Sequence, residues 1–304
     1  MSLVMFYNGY WFSSSLASSV IYIIISVFTV SGNVLVCVTF ALDPYGQLHK
    51  PQNVFLVNLA VSDLIMGALT DTLLASTYWI SPAEGLFFAH YVCAIISGAS
   101  SLLNLTALSV IRYYAVREPV DYQAKITRHR VFVAIVFIWA LSLHLALLPV
   151  FGWRSPSYQL YLYGVGFGIP CVIIFVAYYG FHGAIRQHTR TIRDMEMTDR
   201  NLPAGSNTDL SYHSRVKRVI ERERHVTKTI VLILSLFVAS WLPFLMVDII
   251  MVQCVTCRDS PRLHLARDVT LSITYFSAGI NPLLYTWRVI QFRRAVAKVL
   301  HLSS

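Results

Sequence analysis

The sequence predicts an all-α membrane protein, a seven-transmembrane helix bundle with a short amphipathic C-terminal helix on the inner leaflet. Three observations predict it. The chain of 304 residues is 56% hydrophobic and only 13% charged, with a mean hydropathy of +0.59; a soluble domain carries about 25% charged residues. The apolar residues fall in seven runs, roughly 18–42, 53–79, 87–111, 131–151, 158–183, 228–252 and 268–289. Each is near the ~20 residues that cross ~30 Å of hydrocarbon as a helix. The basic residues are also one-sided: 20 of the 24 Lys and Arg lie in the loops after the first, third and fifth runs and in the tail. The positive-inside rule then puts the N-terminus outside and the C-terminus in the cytoplasm, which requires an odd number of spans. The net charge of +9 is therefore a topology signal and not a mark of nucleic-acid binding. Residues 1–304 read as a single domain.

The first run, 18–42, holds Ser31-Gly32-Asn33, and no basic n-region precedes it. It is expected to span and not to be cleaved as a signal peptide. The second, 53–79, holds Asn58-Leu-Ala-Val-Ser-Asp63 and, nearer its outer end, Asp71. A carboxylate at mid-membrane costs about 2.5–3.5 kcal/mol on insertion scales, so it needs partners and a role. Asn33, Ser101, Ser277 and Asn281 lie at matching depth on other runs. One carboxylate ringed by hydroxyls and amides is a hard-oxygen set that suits a small cation. A static hydrogen-bond cluster that only fixes packing fits equally well.

The third run, 87–111, leads into Ile111-Arg112-Tyr113 at the inner face. The arginine either snorkels to the headgroups or pairs across the bundle with Glu223, at the start of the sixth span. A pair that must break before the helices part is a gate, and Tyr178 and Tyr285 are then hydroxyl partners for the freed Arg112. The fourth run carries Trp139 and Pro149, and the fifth Pro170 and Tyr178. The third inner loop, about 186–227, is basic and polar, with Pro203, Gly205, Ser206 and Asn207 at its centre; it reads as two helical extensions joined by a loop.

In the sixth run, Pro243 of Trp241-Leu-Pro243-Phe244 removes a ladder N–H and kinks the helix. The indole beside the bend either fills the kink or swings with it. The seventh contains Asn281-Pro282-Leu-Leu-Tyr285, and such a polar bend persists in hydrocarbon only where neighbouring helices satisfy it. In the tail, about 290–301, Phe292, Val296, Val299 and Leu300 recur on one face, with Arg293, Arg294 and Lys298 elsewhere. That pattern lies on anionic membrane lipids.

Taken together, Gly32-Asn33, Leu59-Ala60-Val61-Ser62-Asp63, Arg112-Tyr113, Trp139, Pro170 with Tyr178, Phe237 with Trp241-Leu-Pro243, and Asn281-Pro282-Leu-Leu-Tyr285 resemble the markers of rhodopsin-like (class A) G-protein-coupled receptors. Any one of these motifs is weak; seven in order, in seven runs, are specific. The resemblance implies a plasma-membrane receptor that senses an extracellular ligand and activates heterotrimeric G proteins. It implies a sodium cluster at Asp63, Ser101 and Asn281, a toggle at Trp241, and transducer contacts around Arg112 and Tyr113, held at rest by Glu223. Tyr178, Pro282 and Tyr285 complete the implied switch.

Three departures matter. Ile111 stands where most members carry an acid beside the arginine, so raised ligand-independent activity is expected. Phe87 stands where the outer end of the third span usually has a cysteine, and Cys93 is too deep to replace it. Ala94 stands where amine receptors hold an aspartate, which argues against an amine bound in the usual way. Retinal is not expected either: no lysine lies between Lys228 and Lys298, and Tyr275 takes the position of the retinal lysine.

The short second outer loop resembles those of melanocortin, cannabinoid and lysophospholipid receptors, and Trp287-Arg288 resembles adenosine receptors. The outer cavity is expected to include Asp71, His90, Tyr91, Trp241, Phe244, Asp248 and Tyr275. Asp71 and Asp248 suit a cationic group, unless Arg267 pairs with Asp248 or Asp268. In that case the cavity is neutral and a lipid or other apolar ligand gains ground on the small molecule or short peptide that is otherwise expected.

Of the five cysteines, Cys37, Cys93 and Cys171 lie in runs and act as small apolar residues. Cys254 and Cys257, in the last outer loop, face an oxidising compartment that favours a short-loop disulfide. A zinc site there lacks ligands, with only His264 nearby.

Three rival readings stand beside the receptor. An intramembrane enzyme would draw on Ser100, Ser101, His144 and His182, but no serine–histidine spacing supports it. An ion or proton carrier would use Asp63, Asp71 and the histidines, without the internal repeats of a transporter. A receptor-shaped protein that does not signal is raised by Ile111.

Overall fold

A computed structural model describes residues 16–80, 84–118, 121–199, 231–254, 256 and 260–301. "Inner" and "outer" below follow the orientation expected from the basic residues. The long helices are Leu16–Leu42; Pro51–Thr77, with a π-helical stretch at Met66–Asp71; Glu84–Arg117; Arg128–Leu147; Pro156–Asp199, with a π-helical stretch at Leu162–Gly168; 231–253; and Pro261–Arg288. A short turn of helix, Tyr122–Lys125, sits in the second inner loop, and Ile290–Val299 follows the seventh span. Among the described residues, six helices are long and apolar enough to cross a membrane.

The seventh, at 28 residues, is about 42 Å long and also suffices by length. Its composition is more polar because it begins at Pro261, two turns before the start expected at 268. Those turns carry Arg262 and Arg267 beyond the apolar run. The third span likewise continues to Arg117 instead of ending at 111. Arg112 is only 3% exposed, so it lies inside the bundle and does not snorkel to the headgroups.

The second and third spans form the centre: 56% and 50% of their apolar windows are buried, against 17–33% for the first, fourth, fifth and sixth. Leu59, Leu102, Leu105 and Leu108 pack there with Phe237 and Leu284. The outward faces, with Ile24, Phe132, Phe137 and Phe175, are left to lipid.

Pro282 frees the carbonyl of Ala278, and Asn33 Nδ2 donates to it at 3.4 Å, so a bundle neighbour supplies there what lipid cannot. The helix runs through Pro243 without interruption. Beside it the carbonyl of Ser240 accepts Thr274 Oγ1 from the seventh span at 2.8 Å.

A ladder of side chains ties three spans: Trp139 Nε1 donates to Asn58 Oδ1 at 3.0 Å, Asn58 Nδ2 to Asn104 Oδ1 at 2.8 Å, and Asn104 Nδ2 to the Ser100 carbonyl at 2.8 Å. At the inner end of the first span Asp43, with φ of 31°, closes the turn by accepting the backbone N–H groups of Gln47, Leu48 and His49. Burial works to raise its pKa, but those three N–H groups outweigh it and hold the carboxyl below the usual range. The tail helix seats Phe292, Ala295 and Val296 against the bundle.

Candidate functional site

A cavity of about 110 Å³ opens between the third, fifth, sixth and seventh spans. Of the residues expected to line it, His90, Tyr91, Trp241, Phe244, Asp248 and Tyr275 do so. Asp71 does not: it is fully buried away from the cavity, and neither of its carboxylate oxygens has a hydrogen-bond partner among the described residues. The cavity's lining takes no residue from the second span, whose π-helical stretch Met66–Asp71 ends on Asp71. That stretch packs against the first, third and seventh spans.

The cavity's polar groups already hold one another. Arg267 Nε donates to Asp248 Oδ1 at 3.1 Å, and both side chains are about one-tenth exposed. The Tyr163 hydroxyl donates to the other oxygen of Asp248, and the Arg267 guanidinium lies over the Phe244 ring at 5.5 Å. His90 contacts the Thr70 carbonyl through Nδ1 at 3.0 Å and the Tyr275 hydroxyl through Nε2 at 3.2 Å. Of the two pairings open to Arg267, the one with Asp248 is formed.

Tyr163, Gln159 and Phe167 also line the cavity, and sequence reasoning missed them. Tyr163 and Phe167 belong to the π-helical stretch of the fifth span, where Gly164, Gly166 and Gly168 alternate. That glycine spacing was the available signal.

At the cavity floor Trp241 stacks on Phe237, with centroids 5.4 Å apart, and meets Phe244 edge-on at 6.3 Å. Its indole lies on the bare backbone of Gly98, where a Cβ would come within 2.5 Å of the ring.

One turn further in, Asp63 is 2% exposed and accepts Ser101 Oγ at 2.9 Å and Asn281 Nδ2 at 2.8 Å. Asn33 and Ser277, the other expected partners, turn away: Asn33 bonds the carbonyls of Thr29 and Ala278, and Ser277 bonds the carbonyl of Thr274 on its own helix. The remaining oxygen donors are hard ligands and fit a small hard cation in kind. Among the described residues no group of three His, Cys, Asp or Glu could hold a metal ion.

At the inner end Arg112 is enclosed beside Ile111, which is itself 7% exposed in the central apolar cluster. Glu223 lies outside the described residues, as does the side chain of Tyr285. Pro282 is buried beside Asn281. Tyr113 accepts from Arg117 and packs on Gly180 of the fifth span, where a Cβ would stand 2.7 Å from the ring. Tyr178 points outward at 39% exposure, edge-on to His182 at 4.5 Å, and no hydrogen bond reaches its hydroxyl among the described residues. It is therefore not a partner of Arg112 in this arrangement.

Elsewhere, His144 pairs with the Tyr161 hydroxyl at 3.1 Å, while Ser100 bonds the Ser97 carbonyl of its own helix. Cys254 is disulfide-bonded while Cys37, Cys93 and Cys171 are free. The remaining cysteine, Cys257, lies outside the described residues.

The family model "7 transmembrane receptor (rhodopsin family)" matches residues 32–285. The chain is similar to the human alpha-1A adrenergic receptor, 27% identical over 91% of this chain and 66% of that one. It is similar also to the dog adenosine receptor A2a, 27% identical over 91% of this chain and 70% of that one, and to the dog 5-hydroxytryptamine receptor 2C, 26% identical over 91% and 70%. The chain thus spans about two thirds of the length of these relatives. The crystal structure of squid rhodopsin superposes with a TM-score of 0.81 at 21% identity, over 97% of this chain and 89% of that one, which shows the fold. With a family match that takes in both the outer cavity and the inner arginine, the chain belongs to the rhodopsin family of seven-transmembrane receptors.

Proposed function

We propose that the chain is a plasma-membrane receptor, with its N-terminus outside, that binds an extracellular ligand in the Trp241-floored cavity and activates heterotrimeric G proteins at the inner face around Arg112. One observation carries this reading: Trp241, at the cavity floor, rests on Gly98 of the third span. Three residues on, Ser101 joins the Asp63–Asn281 cluster, and the same helix ends at Arg112. A shift of the indole therefore reaches the inner end through rigid helices. The mechanism is a population shift, in which a ligand that binds one bundle arrangement better favours it in proportion to that difference. A thousandfold preference is worth ~4 kcal/mol.

Asp63 and Ser101, with Asn281 beside them, are the residues that would hold a sodium ion. Such an ion would screen the carboxylate and bias the resting arrangement. Ala94 on the cavity wall leaves no aspartate for an amine at that position, so the amine ligands in the relatives' names do not transfer directly.

The reading is tested in cells by recording activation of each Gα class by the wild-type chain and by Arg112→Ala at matched surface expression. Activation that Arg112→Ala abolishes supports the receptor. Silence across all Gα classes favours a receptor-shaped protein that does not signal, for which the buried Ile111 is the motivating feature.

A further inference from the structure

We infer that Asp71 is a proton-binding site: the bundle packs around its carboxyl group with the proton in place, so acidity favours this packing and alkalinity loosens it. The inference goes beyond the proposed receptor function and does not depend on G-protein activation.

The second span carries Asp63 and Asp71, both buried, in opposite settings. Asp63 accepts from Ser101 Oγ and Asn281 Nδ2. Asp71 is 0% exposed, and neither of its oxygens has a hydrogen-bond partner among the described residues. Donors are what let a buried carboxylate keep its charge, and an anion without them is far more costly to bury than a neutral polar group. A carboxyl group that keeps its proton is such a neutral group.

A proton is also the ligand that this setting admits. A metal ion needs several oxygen donors. Among the described residues no group of three His, Cys, Asp or Glu could hold one. An organic cation needs room, and Asp71 lines neither the outer cavity nor the small one beside Arg267 and Asp268.

The stretch that ends on Asp71 packs against the first, third and seventh spans. On the first, the titratable group at the outer end is Tyr22, which donates to the Asp268 carbonyl at 3.4 Å and stacks on Tyr78 of the second span. The third carries His90, Tyr91 and Cys93. The seventh carries Tyr275, with His264, Arg267 and Asp268 further out. Arg267 bonds Asp248. His90 donates from Nδ1 to the carbonyl of Thr70, next to Asp71, and accepts the Tyr275 hydroxyl at Nε2. None of these groups hydrogen-bonds Asp71. His90 lines the outer cavity, so the proton site lies behind that wall. His90 is also the rival source of a pH response, since an imidazole titrates near neutral pH.

Above about pH 4 the aspartates of an unfolded chain are ionised. The packed chain then holds one proton more than the unfolded chain. Its stability therefore falls as pH rises, and the share due to Asp71 is lost as that proton leaves.

Two measurements on the purified full chain test this, in dodecyl maltoside micelles, which add no carbonyl band. The infrared spectrum of wild type minus Asp71→Val at neutral pH is expected to show the C=O stretch of a protonated carboxyl group, shifted in D2O. Between about pH 5 and about pH 8 the melting temperature of wild type is expected to fall several degrees further than that of Asp71→Asn or Asp71→Val, two neutral replacements. His90→Asn is expected to keep the wild-type dependence.

Carboxylate bands in place of the protonated one would show that Asp71 is charged and held by a donor or cation, which overturns the proposal. Wild-type and Asp71 variant melting temperatures that fall in parallel overturn it too. So does a dependence that His90→Asn removes and the Asp71 variants retain. Should Asp71→Asn fail to fold, Asp71→Val carries both comparisons.

Discussion

Gly98 and Trp241 are packed so closely that a methyl group on Gly98 would stand 2.5 Å from Cη2 of the indole. Only a residue without Cβ lets the indole lie on the third span at that depth. Gly98→Ala must therefore move either the ring or the helix. Overpacking of this kind costs about 1–3 kcal/mol, read as a lower melting temperature of the purified receptor. Shrinking the ring should relieve it. The double variant Gly98→Ala/Trp241→Phe is predicted to lose less stability than the two single losses added together. Strict additivity would show that the contact is not what limits residue 98.

Asp63 gathers Ser101 and Asn281 in the middle of the bundle. If sodium joins them, replacing N-methylglucamine chloride with sodium chloride at constant ionic strength should lower basal nucleotide exchange severalfold, and Asp63→Asn should remove the dependence on sodium. An identical sodium response in wild type and Asp63→Asn would place the ion effect elsewhere.

Asp71 is fully buried, and both its carboxylate oxygens lack hydrogen-bond partners among the described residues. A buried polar group in that condition costs about 1–3 kcal/mol. Asp71→Val is predicted to raise thermal stability by an amount in that range and to leave ligand binding in the outer cavity intact, since Asp71 does not line it. A destabilised variant would reveal a partner that uses the carboxylate.

Ile111 packs in the central apolar cluster next to Arg112, where an acid would otherwise restrain the arginine. Ile111→Asp is predicted to lower basal exchange several-fold at matched receptor concentration, because a carboxylate beside Arg112 favours the resting arrangement. Since the substitution also places a charge among apolar neighbours, the melting temperature is recorded alongside. Unchanged basal exchange in folded protein would remove Ile111 as the source of any ligand-independent signal.

The seven spans, the inner amphipathic helix and the Asp63–Ser101–Asn281 cluster were legible because they rest on hydropathy, on charge asymmetry and on the high cost of a lone carboxylate in lipid. The ladder from Trp139 through Asn58 to Asn104 was half-legible. Its members stood out as polar residues in apolar runs, but their pairing depends on how the second, third and fourth spans rotate against one another.

The position of Asp71 was not legible. The cavity takes no lining from the second span, and which spans enclose a cavity is set by how they pack. The same limit hid Tyr163 and Phe167 on the fifth span. It also left the charge of the cavity open: Asp248 and Arg267 lie 19 residues apart on different helices, and only the packed bundle shows that they meet.

The central claim is that the outer cavity and the inner arginine belong to one switch, and nucleotide exchange on a purified heterotrimeric G protein tests it most directly. Reconstituted in nanodiscs, the wild-type chain should accelerate loading of a non-hydrolysable GTP analogue at least several-fold over empty discs. Arg112→Ala should return the rate to that of empty discs, and Gly98→Leu, which forces Trp241 from its seat, should change the rate without touching the inner face. Exchange no faster than empty discs with every Gα class, or acceleration indifferent to both substitutions, would contradict the account.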